Sequence, residues 1–265
     1  MQKAIVIGAG IAGIASALRL RYKGYAVEVY EANDFAGGKL HAFHQDGFRF
    51  DMGPSLFTMP HLVDDLFALF DVPPQTQFKY KRKNTVCNYF WEDGTTFSAA
   101  GDEQKFINQA SQTFETPREL IAQYLKSNKE KYDLTADIFL EKSLHKWNTY
   151  ISYNTLKSLL QAYKLDINTS LNQVNKQYFD SPKLIQLFNR YATYNGSSPF
   201  VTPGIMSMIP HLEMHYGTFF PEGGMHQISQ SLFHLAEDVG IEFHFETAVD
   251  EVIIENDEAV GISVN

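Results

Sequence analysis

The sequence has few of the features that identify several large classes of protein. Cys87 is the only cysteine in 265 residues, which excludes an internal disulfide and favours a reducing compartment. Basic residues are outnumbered, with 22 Lys and Arg against 31 Asp and Glu, and the net charge of −9 argues against a nucleic-acid partner. No uncharged apolar run reaches about 18 residues, and the N-terminus lacks the pattern of a signal peptide. We therefore expect a cytoplasmic protein, with any membrane contact peripheral and on the inner face of the membrane.

The composition is that of a globular protein with many aromatic rings. Hydrophobic residues make up 44% of the chain and charged residues 20%, so one or two folded domains are expected. The 21 Phe and 14 Tyr are more than a nucleotide-binding domain needs. These rings either fill an aromatic core or line a tunnel for a long apolar substrate.

A glycine-rich turn near the N-terminus is the most specific motif. It joins an apolar run at residues 4–7 to a segment of helical character. Gly8 allows the sharp turn, Gly10 lets a pyrophosphate approach the backbone, and Gly13 lets the helix pack close to the strand. The pattern predicts the first half of a dinucleotide-binding βαβ unit.

The residues that follow this turn supply the other groups that such a unit needs. The amides of Ile11 and Ala12, at the positive end of the helix dipole, are expected to face the phosphates. The next strand ends in Glu31, 23 residues after Gly8, and Ala32 follows it. An acid at about this offset accepts hydrogen bonds from a ribose diol and repels a 2′-phosphate.

A second group of small residues follows the acid. Gly37 and Gly38 can bring another loop of bare backbone against the same pyrophosphate, and Lys39 can add positive charge. The hypothesis on which the cofactor assignment depends is that the loops at Gly10 and Gly37 close around one diphosphate. A simple NAD dehydrogenase is an alternative, but the glycine pair argues against it.

These residues carry a resemblance to a known family. Glu31, the glycine pair and the basic residue after it resemble the flavin-dependent amine oxidase and carotenoid desaturase superfamily. The family usually has Arg where this chain has Lys39, which keeps the charge but loses the bidentate fork. Residues 46–55, 195–200 and 221–225 are similar to segments of bacterial phytoene desaturases.

The resemblance implies a fold, a cofactor and further site residues. FAD is the expected cofactor, Gly53, Pro54 and Ser55 are expected at its site, and the backbone of Val249 is expected to contact adenine. No metal site is predicted. The fold class is α/β, with a Rossmann-like FAD-binding domain of the glutathione-reductase type and an inserted α+β substrate domain.

The order of the patterns predicts a discontinuous architecture. Residues 1–75 and 220–265 are expected to form the FAD-binding domain, and residues 76–219 the substrate domain, with strands first and helices after. Asp93-Gly94 and Asn256-Asp257 predict hairpin turns, and residues 40–53 are expected to form a loop or short strand. Helix starts are predicted at Thr116-Pro117, with a capping box, and at Ser181-Pro182. Family members continue beyond this point, so the C-terminal part of the fold is expected to be missing. The chain is then expected to be either a fragment or completed by a second chain.

The resemblance also indicates the reaction. We expect an FAD-dependent oxidoreductase that desaturates a long polyene such as a phytoene-like carotenoid precursor. The catalytic residue is not assigned by the sequence, although several residues have the chemistry of a base: His41, His44, Asp51, His211, Glu213, His215 and Glu222. The alternatives are a carotenoid isomerase, a retinol-saturase-like enzyme, an amine oxidase, and an inactive nucleotide-binding fragment.

Overall fold

The computed structural model describes residues 2–139 and 161–264. Its elements in chain order are β1 (Lys3–Ile7), α1 (Ile11–Tyr22), β2 (Ala26–Tyr30), β3 (Ala42–Gln45), β4 (Phe48–Asp51), α2 (His61–Ala68), β5 (Tyr80–Arg82), β6 (Thr85–Phe90), β7 (Thr96–Ala100), α3 (Glu103–Thr113), α4 (Arg118–Phe139), α5 (Leu171–Tyr178), α6 (Pro182–Asn189), α7 (Ile209–His211), β8 (Phe219–Pro221), α8 (Gln227–Asp238), β9 (Glu242–His244), β10 (Val249–Glu255) and β11 (Glu258–Val264).

The chain divides into two compact units. Unit 1 consists of Met1–Arg82 and Phe219–Asn265, and unit 2 consists of Lys83–Thr218. The sequence prediction placed the two breaks at residues 75 and 220. Strand β5 accounts for the later first break, because it pairs antiparallel with β8 instead of with the strands that follow it.

A three-stranded parallel sheet forms the centre of unit 1, in the order β1-β2-β9. Strands β1 and β2 pair in register from Lys3↔Ala26 to Ile7↔Tyr30. Helices α1 and α8 contribute Leu18 and Leu232 to one core, where both side chains are fully buried. The predicted strand–helix–strand unit is therefore confirmed, although β9 is only three residues long.

Unit 1 also contains antiparallel hairpins. Strands β3 and β4 pair with each other, so the region predicted as a loop or short strand is a hairpin. Strands β10 and β11 also pair, across the predicted turn at Asn256 and Asp257, whose φ angles of 51° and 63° are both left-handed. Two left-handed central residues are the signature of a type I′ turn, which suits the twist of a hairpin.

Unit 2 begins with a hairpin and continues as helices. Strands β6 and β7 are joined at Asp93-Gly94, as predicted. Helix α6 begins where Ser181 accepts a hydrogen bond from the Leu184 amide, also as predicted. The predicted capping box at the start of α4 is wrong, because the helix begins at Arg118 and the Thr116 hydroxyl donates to the carbonyl of Phe114 (3.0 Å).

The core of unit 2 is aromatic. Its fully buried side chains include Phe106, Tyr124 and Phe188, and the rings of Tyr124 and Phe188 lie 4.5 Å apart between centroids. None of the helices in residues 2–139 and 161–264 combines the length and apolarity needed to cross a membrane.

Candidate cofactor site

The two glycine-rich loops of unit 1 are adjacent. Gly10 and Gly37 form an isolated parallel β-bridge, and the Gly37 amide donates to the carbonyl of Ala9 over 2.8 Å. A Cβ atom on Gly38 would lie 3.3 Å from the Gly10 Cα, so the two stretches of bare backbone nearly touch. This is the adjacency that the sequence hypothesis requires, while binding of a diphosphate by both loops stays a prediction.

Three glycines of the first loop serve different needs. Gly8 adopts a φ of +94°, which turns the chain out of β1. A Cβ on Gly13 would lie 1.9 Å from the Gly8 carbonyl oxygen, so only glycine lets α1 pack this close to the strand. Gly10 has an ordinary φ of −69°, and a Cβ there would meet no atom within 4 Å. The fold does not require glycine at this position, and the open space in front of it suits an approaching ligand.

The N-terminus of α1 is suited to an anion. Gly10 is the N-cap residue and offers no side-chain acceptor, and the first turn contains no acidic residue. The first amides of a helix have no partner within the helix and carry the positive end of its dipole. Ile11 and Ala12 therefore lie where backbone donors can receive a phosphate, as a diphosphate-bearing cofactor requires.

Glu31 is buried and held by main-chain donors. Its Oε2 accepts from the Ala9 amide (2.7 Å), and its Oε1 accepts from the Asn33 amide (2.9 Å) and side chain (2.6 Å). Burial alone would raise the pKa of Glu31, but the Asn33 and Ala9 amides outweigh it and hold that pKa below its ordinary value. The carboxylate is therefore ionised and keeps lone pairs for a ribose hydroxyl. The sequence analysis did not predict that Ala9 and Asn33 donate hydrogen bonds to Glu31.

The segment before β10 runs beside this acid. The Thr247 amide donates to the Glu31 carbonyl (2.9 Å), and the Glu246 amide donates to the Asn33 carbonyl (3.0 Å). Val249 begins β10 two residues later and is partly buried. The structure thus brings the backbone predicted to contact adenine close to the residue predicted to bind ribose, and Ala32 lies exposed next to the acid.

The remaining predicted residues lie along the loop that follows the glycine pair. A Cβ on Gly53 would lie 2.0 Å from the Lys39 carbonyl oxygen, and Gly53 has a φ of +91°, so glycine is needed there for close backbone approach. The Lys39 side chain is exposed, as are Pro54 and Ser55. Contact of these three residues with a cofactor stays a prediction.

Helix α8 supports the second glycine loop through a residue that sequence reasoning missed. The Ser229 hydroxyl donates to the carbonyl of Leu40 (2.6 Å). A Cβ on Gly37 would lie 2.7 Å from the Ser229 oxygen, so the helix and the loop are in direct contact. The similarity of residues 221–225 to family segments indicated this helix, but a serine in its first turn has no distinguishing pattern.

Asp51 acts on the start of α8. Its carboxylate accepts from the Met225 amide (2.9 Å) and the His226 amide (3.4 Å), and Arg49 lies 3.2 Å away. Burial raises the pKa of Asp51, but these amides and the Arg49 charge lower it below its ordinary value overall. Asp51 therefore caps the start of α8 as an ion, and its lowered pKa and its bonds to the helix amides make it a poor general base.

The other candidate bases of unit 1 either contact a partner within the unit or are exposed. Glu222 pairs with Lys81 over 2.8 Å on the surface. The Nδ1 of His41 lies 2.8 Å from the Gly38 carbonyl, so this ring is attached to the glycine pair. His44 is exposed on β3.

Of the candidate bases of unit 2, His211 and Glu213 are buried, whereas His215 is exposed. Glu213 is fully buried and accepts from Arg190 (3.0 Å), Tyr191 (2.9 Å) and Tyr194 (2.5 Å), which makes it the centre of a structural network. Burial and the neighbouring His215, whose ring stacks at 4.8 Å, lower the pKa of His211 to about 4. His211 is therefore a neutral imidazole near pH 7.

Comparison with known proteins decides the family. The family model for flavin-containing amine oxidoreductases matches residues 11–265. The chain belongs to this family. FAD is its cofactor. The chain has the predicted fold, a Rossmann-like α/β fold with a glutathione-reductase-type FAD-binding domain. The simple NAD dehydrogenase is thereby ruled out.

Two curated relatives are named as desaturases, and both are longer than this chain. A 1-hydroxycarotenoid 3,4-desaturase of Flavobacterium sp. is 56% identical over 99% of this chain and 54% of its own length. A 4,4'-diapophytoene desaturase of Staphylococcus haemolyticus is 30% identical over 98% of this chain and 52% of its own length. The chain thus spans about half the length of the curated relatives it matches.

Solved structures agree on the fold. An oxidoreductase from Methanosarcina mazei matches all of this chain and 56% of its own, with a TM-score of 0.61 at 19% identity. Putrescine oxidase bound to putrescine matches 94% of this chain and 51% of its own, with a TM-score of 0.59 at 20% identity.

Proposed function

We propose that the protein to which this chain contributes desaturates a long polyene of the carotenoid type. The observation that carries the proposal is the adjacency of the Gly10 and Gly37 loops in a chain 56% identical to a 1-hydroxycarotenoid 3,4-desaturase. FAD supplies the chemistry by accepting hydride from an allylic carbon. Since the chain spans about half of its relatives, we propose the activity for the complete fold and not for these 265 residues alone.

The residues of this chain would hold the cofactor. The amides at the start of α1 and the Gly37 loop would bind the diphosphate, and Glu31 would accept hydrogen bonds from the ribose. The backbone at Val249 would bound the adenine. No catalytic residue is assigned, because Asp51 and Glu213 are occupied by structural partners.

The alternative reactions have less support. Two of the relatives are named as a 1-hydroxycarotenoid 3,4-desaturase and a 4,4'-diapophytoene desaturase. Putrescine oxidase, among the structural neighbours, is only 20% identical, so it supports the fold but not the reaction. A carotenoid isomerase and a retinol-saturase-like reductase remain alternatives within the family. The last alternative is an inactive nucleotide-binding fragment, and a purified protein without flavin absorbance would favour it.

The test is reconstitution. This chain is co-expressed with the part of the Flavobacterium relative that lies beyond the match, in cells that accumulate a 1-hydroxycarotenoid, and the pigments are separated by chromatography. We expect a product with one additional double bond, and Gly10→Ala to abolish it together with flavin absorbance. Ser16→Ala, on the exposed face of α1, is the control that keeps both. Oxidation of an amine with no change in the polyene would refute the proposal.

We also propose peripheral contact with a membrane, through which a long apolar substrate would be reached. The supporting feature is a pair of exposed apolar side chains in unit 2, Phe200 and Val201, the latter 74% exposed. Such side chains can enter the interface of a bilayer. Flotation with phosphatidylcholine vesicles should recover the protein, and Val201→Lys should reduce the recovered fraction. Equal recovery of the unaltered protein and Val201→Lys would contradict membrane contact through these side chains.

A further inference from the structure

Three side chains with metal-binding chemistry meet on one face of the parallel sheet of unit 1. Strands β2 and β9 pair with Glu28 opposite Glu242, and two residues later Tyr30 lies opposite His244. Since residues two apart in a strand project to the same face, these side chains share one face of the sheet. One ligand atom from each of Glu28, Glu242 and His244 lies within 4.8 Å of the other two. Among the residues that the structure describes, this is the one group of three His, Cys, Asp or Glu side chains with such an arrangement.

The separation of the ligand atoms suits a metal ion between them. The Nε2 atom of His244 lies 3.5 Å from the Oε2 atom of Glu28, which is longer than an ordinary hydrogen bond. Zinc binds imidazole nitrogen and carboxylate oxygen at about 2.0–2.2 Å, so two ligand atoms of a tetrahedral site stand about 3.3–3.6 Å apart. The observed distance therefore matches one edge of a zinc tetrahedron.

A second, independent observation is the state of the His244 ring. Its Nε2 atom is shielded from solvent and has no hydrogen-bond partner within residues 2–139 and 161–264. Buried polar atoms are nearly always bonded, because leaving one unpaired costs stability. A shielded ring nitrogen turned toward a carboxylate, at a distance too long for a good hydrogen bond, is explained by an ion that bonds to both.

Two neighbouring side chains influence the ligands. The Tyr30 ring stacks on the His244 ring with centroids 4.4 Å apart, and the Tyr30 hydroxyl donates to Oε2 of Glu28 over 2.9 Å. Outer contacts of this kind fix the orientation of ligands in metal sites. The Lys3 ammonium pairs with the other oxygen of Glu28, Oε1, over 2.7 Å. Lys3 therefore leaves Oε2 accessible to an ion, while its positive charge opposes the binding of a cation.

We propose that Glu28, Glu242 and His244 bind one divalent transition-metal ion of the zinc type. The imidazole argues against Mg²⁺ and Ca²⁺, which prefer sites made of oxygen alone. The sequence analysis predicted no metal site, because Glu28 lies far from the other two ligands in the chain and only strand pairing brings them together.

The ion would join the short strand β9 to β2 beside the cofactor site. Strand β9 has only three residues, and the His244 carbonyl accepts from the amide of Glu31 over 2.9 Å. A metal bound by His244 would therefore stabilise the strand end that carries the acid proposed to bind ribose. The proposal goes beyond the proposed function, and its test measures metal binding and not turnover, so either can fail without the other.

The test is a titration of the purified, tag-free protein with Zn²⁺ after dialysis against a chelator. We expect one Zn²⁺ per chain by isothermal titration calorimetry and a higher thermal unfolding midpoint with Zn²⁺, because an ion that binds only the folded state stabilises it. An excess of Mg²⁺ should not displace the Zn²⁺. Loss of an outer contact alone costs about 10–100-fold in metal affinity, so loss of a ligand in His244→Gln should cost about a hundredfold or more.

Two further variants make the test specific. His234→Gln is the matched control, since His234 is also a histidine beside a glutamate, 3.4 Å from Glu237, but lies outside the group of three. It should bind Zn²⁺ as the unaltered protein does. Lys3→Met removes the positive charge beside Glu28 and should tighten binding. Circular dichroism establishes first that each variant is folded, and Glu242→Gln, at an exposed position, replaces His244→Gln if that variant does not fold.

Three results would overturn the proposal. The first is the absence of both a binding heat and a shift of the unfolding midpoint when Zn²⁺ is added to the unaltered protein. The second is equal weakening by His234→Gln and His244→Gln, since surface histidines in general would then hold the ion. The third is displacement of Zn²⁺ by Mg²⁺, which would mean that carboxylates alone bind it.

Discussion

The two units of this chain make their polar contacts with different groups, unit 1 with the main chain and unit 2 with side chains. Unit 1 builds its site from main chain, with Gly10 and Gly37 bridged and Glu31 held by amides. Unit 2 buries polar side chains that bond to each other, with Glu213 at the centre of one network. A site made of backbone needs glycine at fixed positions, so it leaves a pattern in the sequence. A network of side chains leaves none.

The largest effect that would test this contrast is expected in unit 2. Glu213→Ala leaves the half-buried Arg190 charge and two tyrosine hydroxyls without their acceptor, so we expect a loss of about 3 kcal/mol or more in the free energy of unfolding. Urea denaturation measures it. Glu237→Ala removes an exposed partner of His234 and should change stability by less than about 0.5 kcal/mol. Equal losses in the two variants would mean that the network contributes little.

The next effect is expected where unit 1 depends on the absence of a side chain. Gly13→Ala places a methyl group 1.9 Å from the Gly8 carbonyl oxygen, which forces α1 away from β1. Overpacking of this kind costs about 1–3 kcal/mol. Gly10→Ala meets only open space, so its unfolding midpoint should match that of the unaltered chain while flavin binding is lost. Similar destabilisation by both variants would contradict the separate roles given to these glycines.

A smaller effect, dependent on pH, is expected at the junction of β4 and α8. Asp51 has a pKa below its ordinary 3.8 in the folded chain, so its stabilising contribution is complete above that value and is lost as the pH falls through the lowered pKa. Asp51→Asn should therefore cost about 1 kcal/mol at pH 7, and the difference should shrink from about pH 5 downward.

Denaturation across this pH range measures the Asp51 contribution. Asp46→Asn, in the exposed turn between β3 and β4, is the matched control and should follow the unaltered chain at every pH. A constant difference between Asp51→Asn and the unaltered chain at all pH values would show that Asp51 does not cap α8 as an ion.

Much of unit 1 could be predicted from sequence because local rules determine it. The turn at Gly8, the acid at Glu31 and the hairpin turn at Asn256 each follow from backbone geometry within a few residues. The donors to Glu31 could not be predicted, because Ala9 lies 22 residues away and alanine carries no signal. The antiparallel pairing of β5 with β8 could not be predicted for the same reason, since it joins segments far apart in the chain.

The start of α4 shows that even a local motif can mislead. Thr116-Pro117-Arg118-Glu119 has the pattern of a capping box, yet the helix begins one residue later than the pattern requires. Thr116 is buried, and its hydroxyl donates to the carbonyl of Phe114. The partner of the hydroxyl is therefore main chain two residues earlier, and not an amide of the helix.

The smallest effect is expected at Asn128, and it is tested by comparison with Asn175, another buried asparagine of unit 2. Asn175 accepts from the Tyr124 hydroxyl (2.7 Å) and donates to Asn189 (2.9 Å). Asn128 is equally buried, but neither its side-chain oxygen nor its nitrogen has a hydrogen-bond partner in the structure described for residues 2–139 and 161–264. Asn175→Leu breaks satisfied bonds and should destabilise the fold by about 1–3 kcal/mol, whereas Asn128→Leu removes an amide that burial already penalises and should stabilise it by up to about 1 kcal/mol. Urea midpoints of the two variants distinguish these outcomes. A clear loss of stability in Asn128→Leu would show that this amide is satisfied, by a buried water or by another partner, and that the interior of unit 2 is as fully bonded as the Glu213 network.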